Sequence, residues 1–243
     1  MLTNNQKKLV RALLQKKQRD KHACFVAEGP KVVREFITAG FTLRQLFTTD
    51  TELLSHPTAS LIAEHELSSI SYLTTPNICL AIFAIPTQKH LPDSRLKVAL
   101  DGIRDPGNLG TIIRLCDWFG ISSLLCSKDT VDCYNPKVVQ ATMGSLARVN
   151  VEYLDLEEAL ANSELPIYGT FMDGDSVYSN ALPEQAILVM GNEANGIRPN
   201  IESLISQRIS IPRFGALQAT ESLNVATATA IILSEFKRVT VTK

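Results

Sequence analysis

Three short stretches carry residue types that grip anions and polar ligands. The first runs Asp101-Gly-Ile-Arg-Asp-Pro-Gly-Asn-Leu-Gly110 and leads through Thr-Ile-Ile to Arg114. The second is Gly191-Asn-Glu-Ala-Asn-Gly196, and the third runs from Ile211-Pro-Arg-Phe-Gly215 to Ser222-Leu-Asn224. In the first, Gly107 and Gly110 let backbone approach a ligand closely, and either Asp105 or Asn108 fits the cap of the helix that follows. Arg114 lies between Ile113 and Leu115, near Trp118, in a helix with little other charge. An arginine beside the C-terminal edge of a strand suits a bound anion, while a snorkelling surface arginine fits the same position. Glu193 is the only acid of the second stretch, open to a ligand role or to a place beside a helix N-terminus. Ser222 and Asn224 suit helix capping, which is compatible with ligand contact because the N–H groups of a helix start are themselves a binding surface. Gly102, Gly107 and Gly110 lack the GxGxxG spacing, so a dinucleotide fold gains little support.

These stretches need elements to hold them. Apolar runs predict strands at Lys97–Leu100, Ile187–Met190 and Ile209–Ile211, each ending near the start of one stretch. Further strands are expected at Ser123–Cys126, Val149–Tyr153 and Ile167–Phe171. Helices are expected over Leu109–Trp118, Lys137–Ala147 and Leu156–Ala161, with a last one opening at Ser222 and running over Leu223–Arg238. Strands alternating with helices make an α/β parallel sheet covered on both faces, with ligands at the C-terminal strand ends. The second and third strand ends lie only about 25 residues apart, too close for ordinary separate units, so their loops are expected to enclose something together. Before this region, the pattern predicts a helix over 5–18, a strand at Ala23–Ala27, a helix at Lys31–Ala39 and a short strand at Leu46–Thr48. Helical pieces at Thr51–Leu54 and Glu64–Ser68 and a buried strand at Ile78–Ile85 complete a small α/β unit. The stretch PTQKHLPDSR, 86–95, reads as a linker.

With 243 residues, 45% hydrophobic and 20% charged, the chain has material for one large or two small packed domains. No apolar run approaches the roughly 20 residues of a membrane span. The N-terminus lacks the apolar core and cleavage site of a signal peptide. Five cysteines, an odd number without a CxxC pair, favour reduced thiols in the cytoplasm over disulfides or a zinc site. Net charge is −1, yet Lys8, Arg11, Lys16, Lys17 and Arg19 belong to a crowd of cations near the N-terminus. Such a cluster fits a solvated helix face or a patch for nucleic-acid phosphates.

Taken together, NLGTIIR, GNEANGI and IPRFG…SLNVATA, in that order within Leu96–Lys243, resemble the SpoU/TrmH branch of the SPOUT RNA methyltransferases. The N-terminal part, with KKQRDKHACFVAEG, resembles that branch's L30e-like substrate-binding domain. The resemblance implies an L30e-like domain over 1–88, a linker over 89–95, and a catalytic parallel-sheet domain over 96–243 with a deep trefoil knot. It implies a cytoplasmic homodimer joined through the knotted domain with a contribution from the last helix. The implied reaction is methyl transfer from S-adenosylmethionine to a ribose 2′-hydroxyl of RNA, without a metal and with 23S ribosomal RNA as the expected acceptor. A transfer RNA acceptor, a base nitrogen, and a non-catalytic RNA-binding or ribosome-assembly role are the alternatives. By the same resemblance Arg114 is the catalytic arginine, held by Asn108, with Glu193, Ser222 and Asn224 fixing the donor loops and target nucleotide. Gly191, Gly196, Ile211 and Leu223 fall at donor-contacting positions. A guanidinium is a poor base in water, so Arg114 is expected to grip the phosphate and steady the developing oxyanion. The segment from Gly215 to Ser222 is a few residues longer than the common form, which bears on the shape of the loop near the donor.

Overall fold

The computed structural model describes residues 1–87, 91, 94–179, 181–215, 217 and 222–241. Much of the expected linker and most of the lengthened loop after Gly215 lie outside the described residues. The chain forms two compact units, one of Met1–His90 with Asp132–Arg148, the other of Leu91–Val131 with Val149–Lys243. The division expected from the sequence has a single boundary and no such exchange.

In chain order the first unit contains α1 (Asn4–Ala12), α2 (Lys16–His22), β1 (Cys24–Glu28), α3 (Pro30–Thr38) and β2 (Leu43–Thr48). A 3₁₀ turn (Thr51–Ser55), β3 (Ala59–Leu61), α4 (Glu64–Ser68) and β4 (Cys79–Ala84) follow. The sheet order is β1-β4-β2-β3, with β4 antiparallel to both neighbours and β3 parallel to β2. β3 has no counterpart in the sequence reading, because its three residues are too few to show a period. Phe25 is fully buried and packs against Phe36, Phe41, Phe83 and Tyr134, with ring centroids 4.8 to 6.0 Å away.

The single N-terminal helix expected over 5–18 is two helices. Thr3 and Gln6 form a reciprocal cap at the start of α1. Leu13 is driven into the core, and Arg19 Nη1 takes the carbonyls of both Leu13 and Leu14 at 2.8 Å. Those carbonyls accept the arginine at the break between the two helices. Arg19 Nε also donates to Asp132 at 2.9 Å, and the arginine is only 2% exposed. This corrects the expectation that Arg19 belongs to an RNA-contacting patch: its charge is spent inside the unit. Lys8, Arg11, Lys16 and Lys17 are exposed, although Arg11 donates to the Ser69 carbonyl at 3.0 Å and Lys16 pairs with Asp20 at 3.1 Å.

The second unit opens with β5 (Leu96–Asp101), α5 (Pro106–Trp118) and β6 (Ser123–Ser127). The connection that follows supplies α6 (Pro136–Thr142) and a 3₁₀ turn (Ser145–Ala147) to the first unit. The helix expected to reach Ala147 stops because Met143 and Gly144 both take positive φ, 52° and 98°. Then come β7 (Asn150–Leu154), α7 (Leu156–Ala161), β8 (Ile167–Ser176), β9 (Ala186–Gly191), α8 (Pro199–Glu202), β10 (Gln207–Ser210) and α9 (Val225–Val241). The six strands run β10-β8-β9-β5-β6-β7 and every pairing is parallel. β5 and β9 are buried along almost their whole length, as the middle of a doubly covered sheet requires. None of the described helices is long and apolar enough to cross a membrane.

Breaking a buried ion pair leaves an uncompensated charge. Arg19→Ala is therefore expected to lower unfolding stability by about 3 kcal/mol, read from urea denaturation of the full chain. A change below about 0.5 kcal/mol, typical of a surface position, contradicts this account of Arg19.

Candidate active site

The parallel register sets Asp101, at the end of β5, beside Gly191, at the end of β9. The first and second stretches therefore leave the sheet as neighbours. Asp105 caps α5, its Oδ1 accepting the Asn108 N–H at 2.8 Å, with Pro106 at the first helical position. Of the two capping candidates Asp105 holds the cap, which frees the Asn108 side chain to reach outward. Asn108 Nδ2 donates to Glu193 Oε1 at 2.7 Å, and Asn108 Oδ1 accepts from Asn224 Nδ2 at 2.9 Å. Chemistry fixes these directions. An ionised carboxylate only accepts, so the Asn108 nitrogen faces Glu193 and its oxygen needs a donor on the other side. Asn224 turns its own Oδ1 onto the N–H groups of Ala226 and Thr227, at 3.0 and 3.2 Å, and so caps α9. α9 starts at Val225, so Ser222 stands ahead of the cap rather than opening the helix as expected.

The second stretch folds back on its own strand. Asn192 and Gly196 exchange backbone hydrogen bonds of 2.9 Å, and Gly196 takes φ +67°. Gly191 lies beneath this closure: a Cβ there would sit 2.4 Å from the Gly196 carbonyl carbon and 2.5 Å from the Ile197 nitrogen. Asn192 Nδ2 donates to the Gly102 carbonyl at 2.7 Å, which ties the second stretch to the first. Glu193 is thereby presented to Asn108. It does not neighbour the N-terminus of α8, which begins only at Pro199.

A cavity of 1020 Å³ opens where these loops meet. Gly191, Glu193, Gly196, Ile211, Ser222 and Leu223 all line it, and Thr170 and Phe171 from β8 close one side. Its volume matches pockets that take a small organic ligand, ~300–1,000 Å³. Arg114 is exposed on α5, the helix that packs along α9, and lies outside the cavity lining. The expected grip of Asn108 on Arg114 is replaced by the Glu193 and Asn224 bonds. Six helical residues carry Arg114 about 9 Å along the axis and about 120° around it from Asn108.

Two features of the site gave little sign of themselves in the sequence. Asp101, with a fully buried side chain, accepts the Arg198 backbone N–H and Nε at 2.7 Å each and Nη2 at 2.5 Å. The only visible signal was an acid closing the apolar run KVAL, its partner 97 positions away. Arg198 also lies 3.7 Å from Asp129, and the Asp101 bond raises the arginine's pKa further. The Ser127 hydroxyl, then the Arg198 and Arg104 charges, hold the Asp129 carboxyl below its ordinary range. On the far side of the cavity, the Arg208 guanidinium lies 3.5 Å from the centroid of the Phe171 ring while pairing with Asp173 at 2.6 Å.

Comparison with known proteins matches the SpoU rRNA methylase family over residues 95–234 and an MRM3-like substrate binding domain over 4–81. A 23S rRNA (guanosine(2553)-2′-O)-methyltransferase of Bacillus subtilis is 27% identical over 227 residues, covering 90% of each chain. A 23S rRNA (guanosine-2′-O-)-methyltransferase of Neisseria meningitidis is 35% identical, covering 64% of this chain and 63% of its own. Among solved structures, a TrmH-family protein of Porphyromonas gingivalis is 40% identical with a TM-score of 0.89, covering 98% of this chain and 99% of that one. An rRNA methyltransferase of Sinorhizobium meliloti, solved with AdoMet bound, is 31% identical with a TM-score of 0.85 over 98% and 96% of the two chains.

Gly191→Ala forces a methyl group into the backbone of the folded-back loop. The expected result is a loss of about 1–3 kcal/mol in unfolding stability, measured by urea denaturation. An unchanged midpoint contradicts the closure described here.

Proposed function

Because the chain belongs to the SpoU rRNA methylase family, we propose that it transfers a methyl group from S-adenosylmethionine to a ribose 2′-hydroxyl of 23S ribosomal RNA. The observation that carries this reading is the cavity lined by the second and third stretches, with Asn108 of the first stretch linking Glu193 to Asn224 at its margin. The cavity suits the donor: Gly191 presents bare backbone for hydrogen bonds to a purine, and Ile197, Ile211 and Leu223 offer apolar walls. When bound, S-adenosylmethionine supplies an electrophilic methyl group on a sulfonium.

The residues of the chain would divide the remaining work. Gly191, Gly196, Ile211 and Leu223 hold the donor. Glu193, Asn108 and Asn224 lock the loops around it, and Ser222 contributes a hydroxyl to the wall. Arg114 grips the phosphate next to the target ribose and steadies the negative charge that develops on the 2′-oxygen. The proton of that hydroxyl leaves to water or to a neighbouring oxygen, since a guanidinium already carries its full complement. The exposed cations Lys8, Arg11, Lys16 and Lys17 bind RNA phosphates, a reading supported by the substrate-binding match over 4–81.

Three finer points belong to the same reading. After β10 at the sheet edge the chain returns to α9 against α5, a path that suits threading of the C-terminus into a trefoil knot. A homodimer through this domain belongs to the same reading. Cys24, Cys79 and Cys116 are free thiols, which favours a reducing compartment, the cytoplasm. The domains are read as substrate binding over 1–88 and methyl transfer over 96–243, with 89–95 between them.

The test is methyl transfer from labelled S-adenosylmethionine into ribosomal RNA, with the product digested to nucleosides. The expected product is a 2′-O-methylnucleoside. Arg114→Ala is expected to lose about 10²–10³-fold in kcat while donor affinity stays as in the unaltered chain. Full turnover by Arg114→Ala removes the arginine from the reaction, and a base-methylated product replaces the ribose reading. Charge reversal at Lys8 and Lys17 together is expected to raise KM for RNA, with a shallower salt dependence and an unchanged donor affinity.

A further inference from the structure

The Asp101 carboxylate sits at the junction of the two halves of the candidate site. One direction along the chain leads through Gly102 to Asp105, the cap of the helix that bears Asn108 and Arg114. Across space, both carboxylate oxygens are taken by Arg198, which follows directly after Ile197 in the loop that lines the cavity. The side chain of Asp101 has no exposed surface, whereas Arg198 is 47% exposed and outside the cavity lining. A fork of this kind, two side-chain nitrogens plus a backbone N–H on one carboxylate, fixes orientation as well as distance. The remaining ties of the loop are single hydrogen bonds, Asn192 to the Gly102 carbonyl and Glu193 to Asn108. Glu193 lies towards the tip and Asn192 at the entry of the loop, so among these contacts Arg198 is the charged, multiply bonded clamp and the one that holds the exit of the loop.

We propose that Arg198 is a positioning residue for the donor: by clamping the base of loop 191–197 onto Asp101, it holds the Gly196–Ile197 wall where the donor binds. The inference rests on the donor reading of the cavity. It goes beyond that reading in assigning donor affinity to a residue that touches no ligand. Asp129 extends the clamp, since it faces Arg198 at 3.7 Å and accepts the Ser127 hydroxyl, which in turn accepts the Gly102 N–H at 2.9 Å. Three loops, after β5, β6 and β9, thus share one charged knot of side chains at the C-terminal edge of the sheet.

The test compares Arg198→Ala and Arg198→Lys in the full chain. Calorimetry with S-adenosylmethionine gives donor affinity, initial rates give kcat and both KM values, and urea denaturation reports stability. Arg198→Ala is expected to raise donor Kd and donor KM by about 10- to 100-fold, with kcat at saturating donor and KM for RNA within about threefold of the unaltered chain. Arg198→Lys keeps the charge but not the fork, so its donor Kd is expected between the two. Should the alanine variant fail to fold, the lysine variant decides. Folded variants that lose stability yet keep donor affinity within about twofold overturn the proposal, leaving Arg198 a structural residue only. A fall in kcat with donor KM unmoved overturns it as well. If the unaltered chain binds no S-adenosylmethionine, the donor reading itself fails and this inference goes with it.

Discussion

The carboxamide of Asn108 stands between a carboxylate that only accepts and an amide that is already committed to capping a helix. Its nitrogen reaches Glu193, 85 positions along the chain, and its oxygen takes Asn224, 116 positions along. No other residue type does this at the same length. Aspartate would set a second carboxylate against Glu193, and a hydroxyl is too short to span both partners. Because the three side chains are bound in series, the orientation of each is fixed by the next, back to the N-terminus of α9. The charge-assisted bond to Glu193 lies at the surface, so its effect is to orient loop segments that bury little apolar surface of their own.

The sheet makes that bridge attainable. Parallel strands present all their C-terminal ends along one edge, and the register that opposes Asp101 to Gly191 leaves the two loops no choice but to adjoin. β10 lies on the other side of β8, so the third stretch arrives from the sheet edge and reaches Asn108 only because α9 runs back along α5. Rigid strands and two packed helices carry the positions, while exposed loop residues carry the chemistry. The cavity is what remains between them.

Much of this was legible beforehand because it depends on local pattern. Apolar runs closing in glycine-rich loops marked β5 and β9, and Asn108, Glu193 and Asn224 stood out as polar residues in the three loops that follow the β5, β9 and β10 runs. The roles of side chains were harder to read. Asp105 and Asn108 were equal candidates for one cap, and the choice depends on which of them Glu193 engages from far along the chain. Arg19 has the same composition signature as its exposed neighbours Lys16 and Lys17. Only its burial against Asp132 separates them, and Asp132 lies 113 positions away. Segment 132–148 joins the first unit for the same reason: the helix period shows an apolar face but not the surface that receives it. Helix ends at Ala12 and Thr142 are likewise set by tertiary contact and left-handed backbone rather than by propensity.

What the account stands on is that one cavity seats the methyl donor beside the Asn108 bridge. The most direct measurement is a crystal structure of the full chain with S-adenosylmethionine added. The account predicts the purine against the backbone at Gly191 and Ile211 and the sulfonium turned towards α5, with the Asn108 bonds to Glu193 and Asn224 intact. Donor density at another place on the chain, or density in the cavity with the bridge pulled apart, contradicts it.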